Sequence, residues 1–328
     1  MHGFDTIISV DNLLKAWCVF KRGKTKKLDV QEFERNLMFN LFNLHSELKN
    51  KIYRHGGYEH FVVRDPKRRD IHKASVRDRL VHHAIYLVLY SQFDKKFIYD
   101  SYSCRNGRGT HRALRRFETF ARTVSKNYTG QCWVLKCDIS KFFASIDQGI
   151  LCRILKKNIP DSDTIGLLKN VIASFNSGVT GKGLPLGNLT SQLLVNIYMN
   201  EFDQYVKHIL KQKHYIRYAD DFVFMSSDRG QLEDIRQHCA EFLNTKLALA
   251  FHPNKVSIST LASGVDFLGW VHFPWHRVLR AVSRRRMFRN MATTINLRAT
   301  SQSYLGLLSH GNAFILAEEV VRVQNKAV

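Results

Sequence analysis

The stretch "HYIRYADDFVFMSS", residues 214–227, decides the fold of this chain. It sets two adjacent aspartates, Asp220 and Asp221, between two apolar runs that are rich in aromatic and β-branched residues. Such runs predict two strands joined by a tight turn. Paired carboxylates repel each other and are costly to dehydrate, so stability alone does not explain this pair at the tip of an apolar hairpin.

The charge of the chain indicates its class of partner. Its 328 residues are 45% hydrophobic, which is enough for a sizeable core, and they carry 50 Lys+Arg against 28 Asp+Glu, a net charge of +22. This excess favours a polyanion, with nucleic acid first and an anionic membrane surface second. The longest apolar run, Ala84–Tyr90, is too short to span a bilayer. We therefore expect no membrane association.

The compartment follows from the N-terminus and the cysteines. The opening "MHGFDTIISV" lacks the basic and apolar regions of a signal peptide. The six cysteines show neither CxxC pairs nor zinc-type spacing with histidines. We expect reduced thiols in a cytoplasm and no structural metal.

Strands and helices alternate along the chain. Apolar spacing predicts helices through the first fifty residues, a strand in "QCWVLKCDIS" (131–140), and a basic helical segment from about residue 274. This non-repeating order predicts an α+β or mixed α/β architecture.

Asp138 closes the strand "CWVLKCDIS" (132–140) and is the third carboxylate of interest. A carboxylate at a strand end and a pair at a hairpin tip can converge at one edge of a sheet. Clustered carboxylates suit hard divalent cations, and two such ions suit in-line phosphoryl transfer. Adjacent aspartates also occur as turn residues or helix caps, so the pair alone leaves both readings open.

Five motifs together resemble those of reverse transcriptases, over about residues 64 to 273. They are "SYSCRNGRGTHRAL" (Ser101–Leu114), "DISKFF" (Asp138–Phe143), "GLPLGNLTSQ" (Gly183–Gln192), "YADD" (Tyr218–Asp221) and "FLGW" (Phe267–Trp270). The resemblance implies RNA-templated DNA synthesis, with template RNA, an RNA/DNA duplex and deoxynucleoside triphosphates as partners. It also implies two Mg²⁺ ions, for which Mn²⁺ can substitute.

The resemblance assigns the catalytic and metal-binding residues. Asp138 and Asp220 match the two metal-binding aspartates of the family, and Asp221 matches the supporting third. The backbone carbonyl of Ile139 is expected to assist in holding the metal. The intact aspartates speak against an inactive polymerase fold that is kept as an RNA-binding scaffold.

Further residues match the family's nucleotide-binding positions: Lys67, Arg69, Phe143, Leu186, Gly187 and Lys255. A bulky ring at Phe143 would collide with a ribose 2′-hydroxyl, so deoxynucleotides are expected. Lys67 and Arg69 match the cations that hold the triphosphate, and Lys255 matches the lysine that protonates pyrophosphate. The alternatives are core packing for Phe143 and solvated surface charges for the cations.

Two segments are expected to hold the template–primer duplex. Phe267, Leu268, Gly269 and Trp270 resemble the turn that grips the primer. At helical spacing, Arg277, Arg280 and Arg284 share one face, which suits contacts to the phosphate backbone. A solvated basic face is the alternative.

The templating loop departs from most of the family, with Leu186 in place of Gln and Ser191-Gln192 in place of Ser-Pro. This form is similar to the reverse transcriptases of diversity-generating retroelements. It implies errors opposite template adenines and an accessory protein oligomer, in a bacterial or phage-infected cell. An antiphage or other bacterial reverse transcriptase is the alternative.

The expected fold is therefore an α+β right-hand polymerase, with an RRM-like antiparallel palm sheet and a helical thumb. We predict fingers with N-terminal helices over residues 1–130, a palm over 131–273 and a thumb over 274–328. The palm includes the templating loop 183–192 and the catalytic hairpin 214–227. We expect no RNase H, endonuclease or maturase domain after the thumb.

Overall fold

The computed structural model describes residues 3–64 and 68–326. Within these residues the chain forms fourteen α-helices and nine β-strands. The helices are α1 (Gly3–Ile8), α2 (Val10–Phe20), α3 (Leu28–Arg35), α4 (Leu37–Lys49), α5 (Val76–Phe93), α6 (Thr110–Val124), α7 (Phe142–Ser145), α8 (Gln148–Asn158), α9 (Ser162–Ala173), α10 (Leu189–Gln204), α11 (Arg229–Leu247), α12 (Ala281–Thr293), α13 (Leu297–Leu308) and α14 (Phe314–Lys326). The strands are β1 (Tyr58–Val63), β2 (Arg69–Ala74), β3 (Trp133–Asp138), β4 (Tyr215–Tyr218), β5 (Asp221–Ser226), β6 (Ser257–Thr260), β7 (Val265–Phe267), β8 (Trp270–His272) and β9 (Arg277–Leu279).

The chain divides into two compact units. Unit 1 comprises Met1–Tyr99, Ile139–Lys211 and Ala240–Phe251, and unit 2 comprises Asp100–Asp138, Gln212–Cys239 and His252–Val328. The boundaries of fingers, palm and thumb stay a prediction. No helix in the described part of the chain is long and apolar enough to cross a membrane.

Unit 1 is mainly helical, with α2 and α10 packed against α5. Ser75 caps α5: its Oγ accepts from the Asp78 backbone N–H at 3.1 Å and donates to the Asp78 carboxylate at 2.7 Å. Asn12 of α2 donates to the Ala84 carbonyl of α5 at 3.2 Å, which joins the two helices through a buried hydrogen bond. The helices predicted for the first fifty residues are confirmed. β1 and β2 form an antiparallel pair beside this helical core.

Unit 2 contains an antiparallel four-stranded sheet in the order β4-β5-β3-β6. The hairpin predicted from residues 214–227 is β4 and β5, and β3 pairs with β5 and with β6. The apolar face of α6 covers this sheet: Phe117 and Phe120 pack in one buried cluster with Val134 and Val223. Burial of that face directs the charged side chains of α6 away from the sheet.

The C-terminal part of unit 2 differs from the predicted basic helix that starts near residue 274. Residues Arg277–Leu279 form β9, which pairs with β8 in a three-stranded antiparallel sheet, β7-β8-β9. The helix α12 begins only at Ala281. Pairing with β8 buries Leu279 opposite Trp270, and this tertiary contact overrides the helical spacing of the arginines.

Candidate active site

Two of the predicted catalytic carboxylates lie opposite each other in the sheet of unit 2. Asp138 is the last residue of β3, Asp221 is the first residue of β5, and the two are partners in the antiparallel register. Asp220 precedes Asp221 in the turn between β4 and β5. The sheet therefore brings together Asp138, Asp220 and Asp221, although Asp138 is about eighty residues away in sequence.

The turn that carries Asp220 is held by a buried arginine that the sequence analysis missed. Ala219 has a left-handed backbone with φ 57°, which L-residues rarely adopt. Arg217, fully buried in β4, donates to the Ala219 carbonyl at 3.1 Å and to the Ser101 hydroxyl at 3.0 Å. The signal in the sequence was a single cation inside the apolar strand "YIRY". Arg217 therefore positions the turn that carries Asp220.

Two lysines of unit 2 approach the facing carboxylates. The Lys255 ammonium donates to Asp138 Oδ1 at 2.8 Å. The Lys136 ammonium lies 3.9 Å from Asp221 Oδ2 and donates to the Asp266 backbone carbonyl at 2.5 Å. The predicted site residue Lys255 is thus beside the carboxylate of Asp138. Lys136 and Asp266 were not predicted as site residues.

Asp221 is electrostatically the most unusual group of the site. Its burial raises the pKa of the carboxyl to about 7; the Lys136 ammonium opposes this rise, and the carboxylates of Asp138, Asp220 and Asp266 add to it. Its Oδ1 atom is buried and has no hydrogen-bond partner among the described residues. A buried carboxylate oxygen without a donor is a natural ligand for a cation.

The donor set fits a magnesium site that is completed by substrate. Residues 3–64 and 68–326 contain no group of three or more His, Cys, Asp or Glu side chains arranged to hold a metal ion by themselves. Mg²⁺ usually binds through one or two carboxylates together with water and substrate phosphates rather than in an all-protein cage. The facing pair of Asp138 and Asp221, with its unpartnered oxygen, suits that mode of binding.

Ile139 directly follows Asp138 and belongs to unit 1. Its side chain is buried, and its backbone forms an isolated antiparallel bridge with Phe251. This pairing holds the backbone in place immediately after Asp138. The metal-binding role of the Ile139 carbonyl stays a prediction.

Unit 1 carries the predicted sugar gate. Phe142 is buried in the core, whereas the ring of Phe143 is only partly buried, so Phe143 is the one of the two that can meet a ligand. The Phe143 carbonyl accepts from the Leu184 backbone N–H at 2.9 Å. Since Leu184 belongs to the templating loop, the gate and this loop are joined within unit 1.

The templating loop also contacts the strand that carries Arg69. The Leu186 carbonyl accepts from the His72 backbone N–H of β2 at 3.1 Å. Gly187 has φ 108°, and a Cβ there would lie 3.0 Å from Ile71 of the same strand, so the approach requires glycine. Arg69 is exposed on β2. Lys67 lies outside the described residues.

The predicted primer-grip residues form a tight hairpin turn in unit 2. Phe267 of β7 pairs with Trp270 of β8, and both side chains are buried. Leu268 and Gly269, between them, have φ values of 51° and 88°. Two successive residues with positive φ are typical of a two-residue hairpin loop.

The three arginines predicted on one helical face do not share one, and that prediction is wrong in its geometry. Arg277 lies in β9 and Arg280 is the residue that precedes α12, so only Arg284 is helical. Arg277 donates to the His310 carbonyl at 2.5 Å, and Arg280 pairs with Asp266 at 2.9 Å. Arg284 pairs with Glu319 at 3.2 Å. These partners within unit 2 come from the β8–β9 pairing, which the sequence pattern did not reveal. Their contact with nucleic acid stays a prediction.

Comparison with known proteins identifies the family of this chain. The sequence pattern of the family described as reverse transcriptase (RNA-dependent DNA polymerase) matches residues 64–272. Protein YkfC of Escherichia coli (strain K12) is 28% identical over 256 residues, which cover 67% of this chain and 65% of YkfC. Group II intron-encoded protein LtrA of Lactococcus lactis subsp. cremoris is 23% identical over 262 residues, which cover 59% of this chain and 42% of LtrA. The chain thus matches less than two thirds of the length of either relative.

Among solved structures, the telomerase of Candida albicans in complex with a TWJ fragment of telomeric RNA is similar with a TM-score of 0.54. The sequences are 10% identical, and the match covers 78% of this chain and 51% of the telomerase chain. At this identity the likeness concerns the fold alone. Together with the antiparallel sheets it confirms the predicted α+β polymerase fold class. The family match spans well over half of the residues, and the chain belongs to the reverse transcriptase (RNA-dependent DNA polymerase) family.

Proposed function

We propose that the chain is an RNA-directed DNA polymerase that extends a primer on an RNA template by nucleotidyl transfer. The observation that carries this proposal is the register of β3 and β5, which sets Asp138 directly opposite Asp221. Two facing carboxylates at one sheet edge, with Asp220 in the adjoining turn, provide the oxygen ligands that this chemistry requires.

The roles of the residues follow from their positions. Asp138 and Asp221, together with Asp220 in the adjoining turn and the substrate phosphates, would hold two divalent cations, Mg²⁺ or Mn²⁺; these would supply activation of the primer hydroxyl and neutralisation of the charge on the triphosphate. Lys255, whose ammonium lies 2.8 Å from Asp138 Oδ1, donates a proton to the departing pyrophosphate. Phe143 excludes the ribose 2′-hydroxyl, and Arg69 holds the triphosphate.

The proposal extends to a diversity-generating retroelement. Leu186 offers the nascent base pair only an aliphatic surface, and shape alone discriminates weakly between bases. We therefore infer frequent errors opposite template adenines, in the cytoplasm of a bacterial or phage-infected cell. The template RNA, the RNA/DNA duplex, deoxynucleotides and an accessory protein oligomer are the proposed partners, and the net charge of +22 suits the nucleic acids.

Primer extension tests this function. The native chain and the Asp220→Ala variant would be compared on an RNA template with Mg²⁺, and the products would be sequenced. Asp234→Asn, on the exposed face of α11, is the matched control for a changed carboxylate. We expect synthesis by the native chain and the control, loss of synthesis in Asp220→Ala, and errors concentrated at template adenines.

Other outcomes redirect the proposal. Accurate synthesis would retain the polymerase but remove the retroelement assignment in favour of an antiphage or other bacterial enzyme. The native chain and Asp220→Ala could both bind RNA and yet synthesise no DNA. If this result holds in the presence of co-expressed neighbouring proteins, the chain acts as an RNA-binding scaffold.

A further inference from the structure

Unit 2 contains an aromatic cavity that the proposed polymerase chemistry does not use. It has a volume of about 280 Å³ and lies between α6, the β8–β9 hairpin and the turn after α13. Its aromatic walls include Phe117, Tyr128, Phe273 and Trp275. Ligand pockets usually measure about 300–1,000 Å³, so this cavity fits a single ring system.

Two buried polar atoms at this cavity lack a hydrogen-bond partner among the described residues. His272 is only 4% exposed, and its Nε2 atom has no hydrogen-bond partner among the described residues. Nη1 of Arg277 also has no hydrogen bond; it lies 4.0 Å from the Glu118 carboxylate, and Nε of the same side chain donates to the His310 carbonyl. Burial, together with the neighbouring Arg277, lowers the pKa of His272 to about 3, so its imidazole is neutral. Buried polar groups without partners indicate a ligand that would satisfy them.

The rim of the cavity carries an exposed and strained tryptophan. The side chain of Trp275 is 69% exposed at the tip of the β8–β9 hairpin, and its φ is +71°. Its ring packs edge-on against Tyr128, with ring centroids 4.7 Å apart. Bulky residues rarely adopt positive φ, and such backbone strain concentrates at functional sites. One face of the indole is thus available for stacking.

A cationic surface adjoins the cavity. Arg115, Arg122 and Lys126 are exposed along α6 and the turn that follows it, and they line a surface depression of about 440 Å³. Glu118 belongs to the lining of both the depression and the aromatic cavity. The aromatic cavity and the phosphate-attracting surface are therefore neighbours on one face of α6.

We propose that this face captures an unpaired nucleotide of a structured RNA, apart from the catalytic carboxylates. The base enters the aromatic cavity and stacks on Trp275, while its edge bonds with His272 and Arg277. The flanking phosphates contact Arg115, Arg122 and Lys126. Unstacked bases held on aromatic rings, with cations on the backbone, are the usual mode of single-stranded RNA recognition.

The Glu118 carboxylate lies 4.0 Å from Nη1 of Arg277 and holds that guanidinium at the cavity. A purine offers the indole of Trp275 a larger stacking surface than uracil does, so adenine is the preferred base. The row of cations extends well beyond the reach of one nucleotide, which favours an RNA chain over a free nucleotide. The positive charge of the surface likewise favours RNA over a basic protein.

Binding measurements on the full chain test this proposal. The probes are an RNA hairpin with an adenine loop, the same stem with a uracil loop, a blunt duplex of that stem, and 5′-AMP, all at one salt concentration. The informative variant is Trp275→Gly, because glycine adopts φ +71° without strain and the fold should persist. Phe314→Ala removes an exposed ring that does not line the cavity and serves as the matched control.

We expect Trp275→Gly to lose about tenfold in affinity for the adenine-loop hairpin, with no change for the blunt duplex. Phe314→Ala should match the native chain, and primer extension on a short, unstructured template should be equal for all three proteins. Because the measurement is of RNA binding, it tests this site even if no polymerase activity is found.

Equal hairpin affinity of Trp275→Gly and the native chain would overturn the proposal. So would a loss of extension on the short template, because the tryptophan would then belong to the catalytic path. Competition by 5′-AMP at the concentrations at which RNA competes would identify a free nucleotide as the ligand and overturn the assignment to RNA.

Discussion

Asp138 ends β3 at the point of the sheet where Asp221 begins the neighbouring strand β5, so their carboxylates share one edge. A lysine approaches each of them, Lys255 at 2.8 Å and Lys136 at 3.9 Å. The two carboxylates nevertheless differ, because Asp221 has a buried oxygen without a partner in the described part of the chain. This difference makes Asp221 a site where the proposed function costs stability.

We predict that Asp221→Asn stabilises the protein at alkaline pH while it abolishes polymerase activity. The pKa of Asp221 is about 7 in the folded chain, against an ordinary value of 3.8, so the folded state holds this proton more tightly than the unfolded state. Stability from this group is therefore lost as the pH rises from about 4 to about 7. Thermal unfolding without divalent ions should show a Tm gain for the variant of about 2–4 °C at pH 8.

The gain in Tm from Asp221→Asn should shrink towards zero as the pH falls to 5. Asp234→Asn, the same exchange at an exposed position of α11, is the matched control. A Tm difference that stays constant between pH 5 and pH 8 would contradict a raised pKa at Asp221.

Phe143→Ala should admit ribonucleotides. The partly buried ring is joined to the templating loop through the bond from Leu184, and its loss removes the steric barrier to a 2′-hydroxyl. Discrimination between deoxynucleotides and ribonucleotides, measured as the ratio of kcat/KM values, should fall about tenfold or more. Phe143→Tyr keeps a ring and should keep the discrimination. Unchanged exclusion in Phe143→Ala would return this side chain to a packing role.

Leu186→Gln should improve fidelity. An amide at this position can hydrogen-bond near the nascent base pair, which an aliphatic side chain cannot do. Sequencing of the products should show misincorporation opposite adenine reduced by about tenfold, with other positions little changed. Leu186→Met conserves the apolar character and the approximate volume, so it should keep the native error rate. Equal error spectra for all three proteins would remove Leu186 from the account of fidelity.

Gly311→Ala should destabilise unit 2. A Cβ at this position would lie 2.1 Å from the ring of Trp270, which is buried in the core and cannot move away cheaply. Overpacking of this kind costs about 1–3 kcal/mol. Gly306→Ala is the control within α13, where no atom lies within 4 Å of the added Cβ. Gly306→Ala should stabilise the helix by about 0.5–1 kcal/mol. Urea unfolding measures the change in stability of both variants. Equal midpoints would contradict the close packing at Gly311.

The catalytic hairpin could be predicted from sequence because its signals are local. Alternating apolar residues around Asp220 define two strands and a turn within fourteen residues. The same alternation before Asp138 defines a single strand. The pairing of the two segments was accessible through the family motifs.

What the sequence could not reveal depends on tertiary partners. Arg277 fits a helical pattern equally well, and only its pairing with β8 makes it part of a strand. Arg217 looks like an interruption of β4 until its bonds to Ala219 and Ser101 are known. The aromatic cavity likewise joins α6 to a hairpin about 150 residues later, a distance at which local patterns carry no information.

The central place of β3 in the sheet has a consequence for biosynthesis. Its two neighbours, β5 and β6, lie far downstream, so a growing chain on the ribosome makes β3 long before either partner emerges. Until then Asp138 faces no second carboxylate, and the proposed active site is incomplete. During the same interval β3 has two unpaired edges, which are templates for association with other chains. Translation that stalls between residues 138 and 221 should therefore yield aggregated chains that lack polymerase activity.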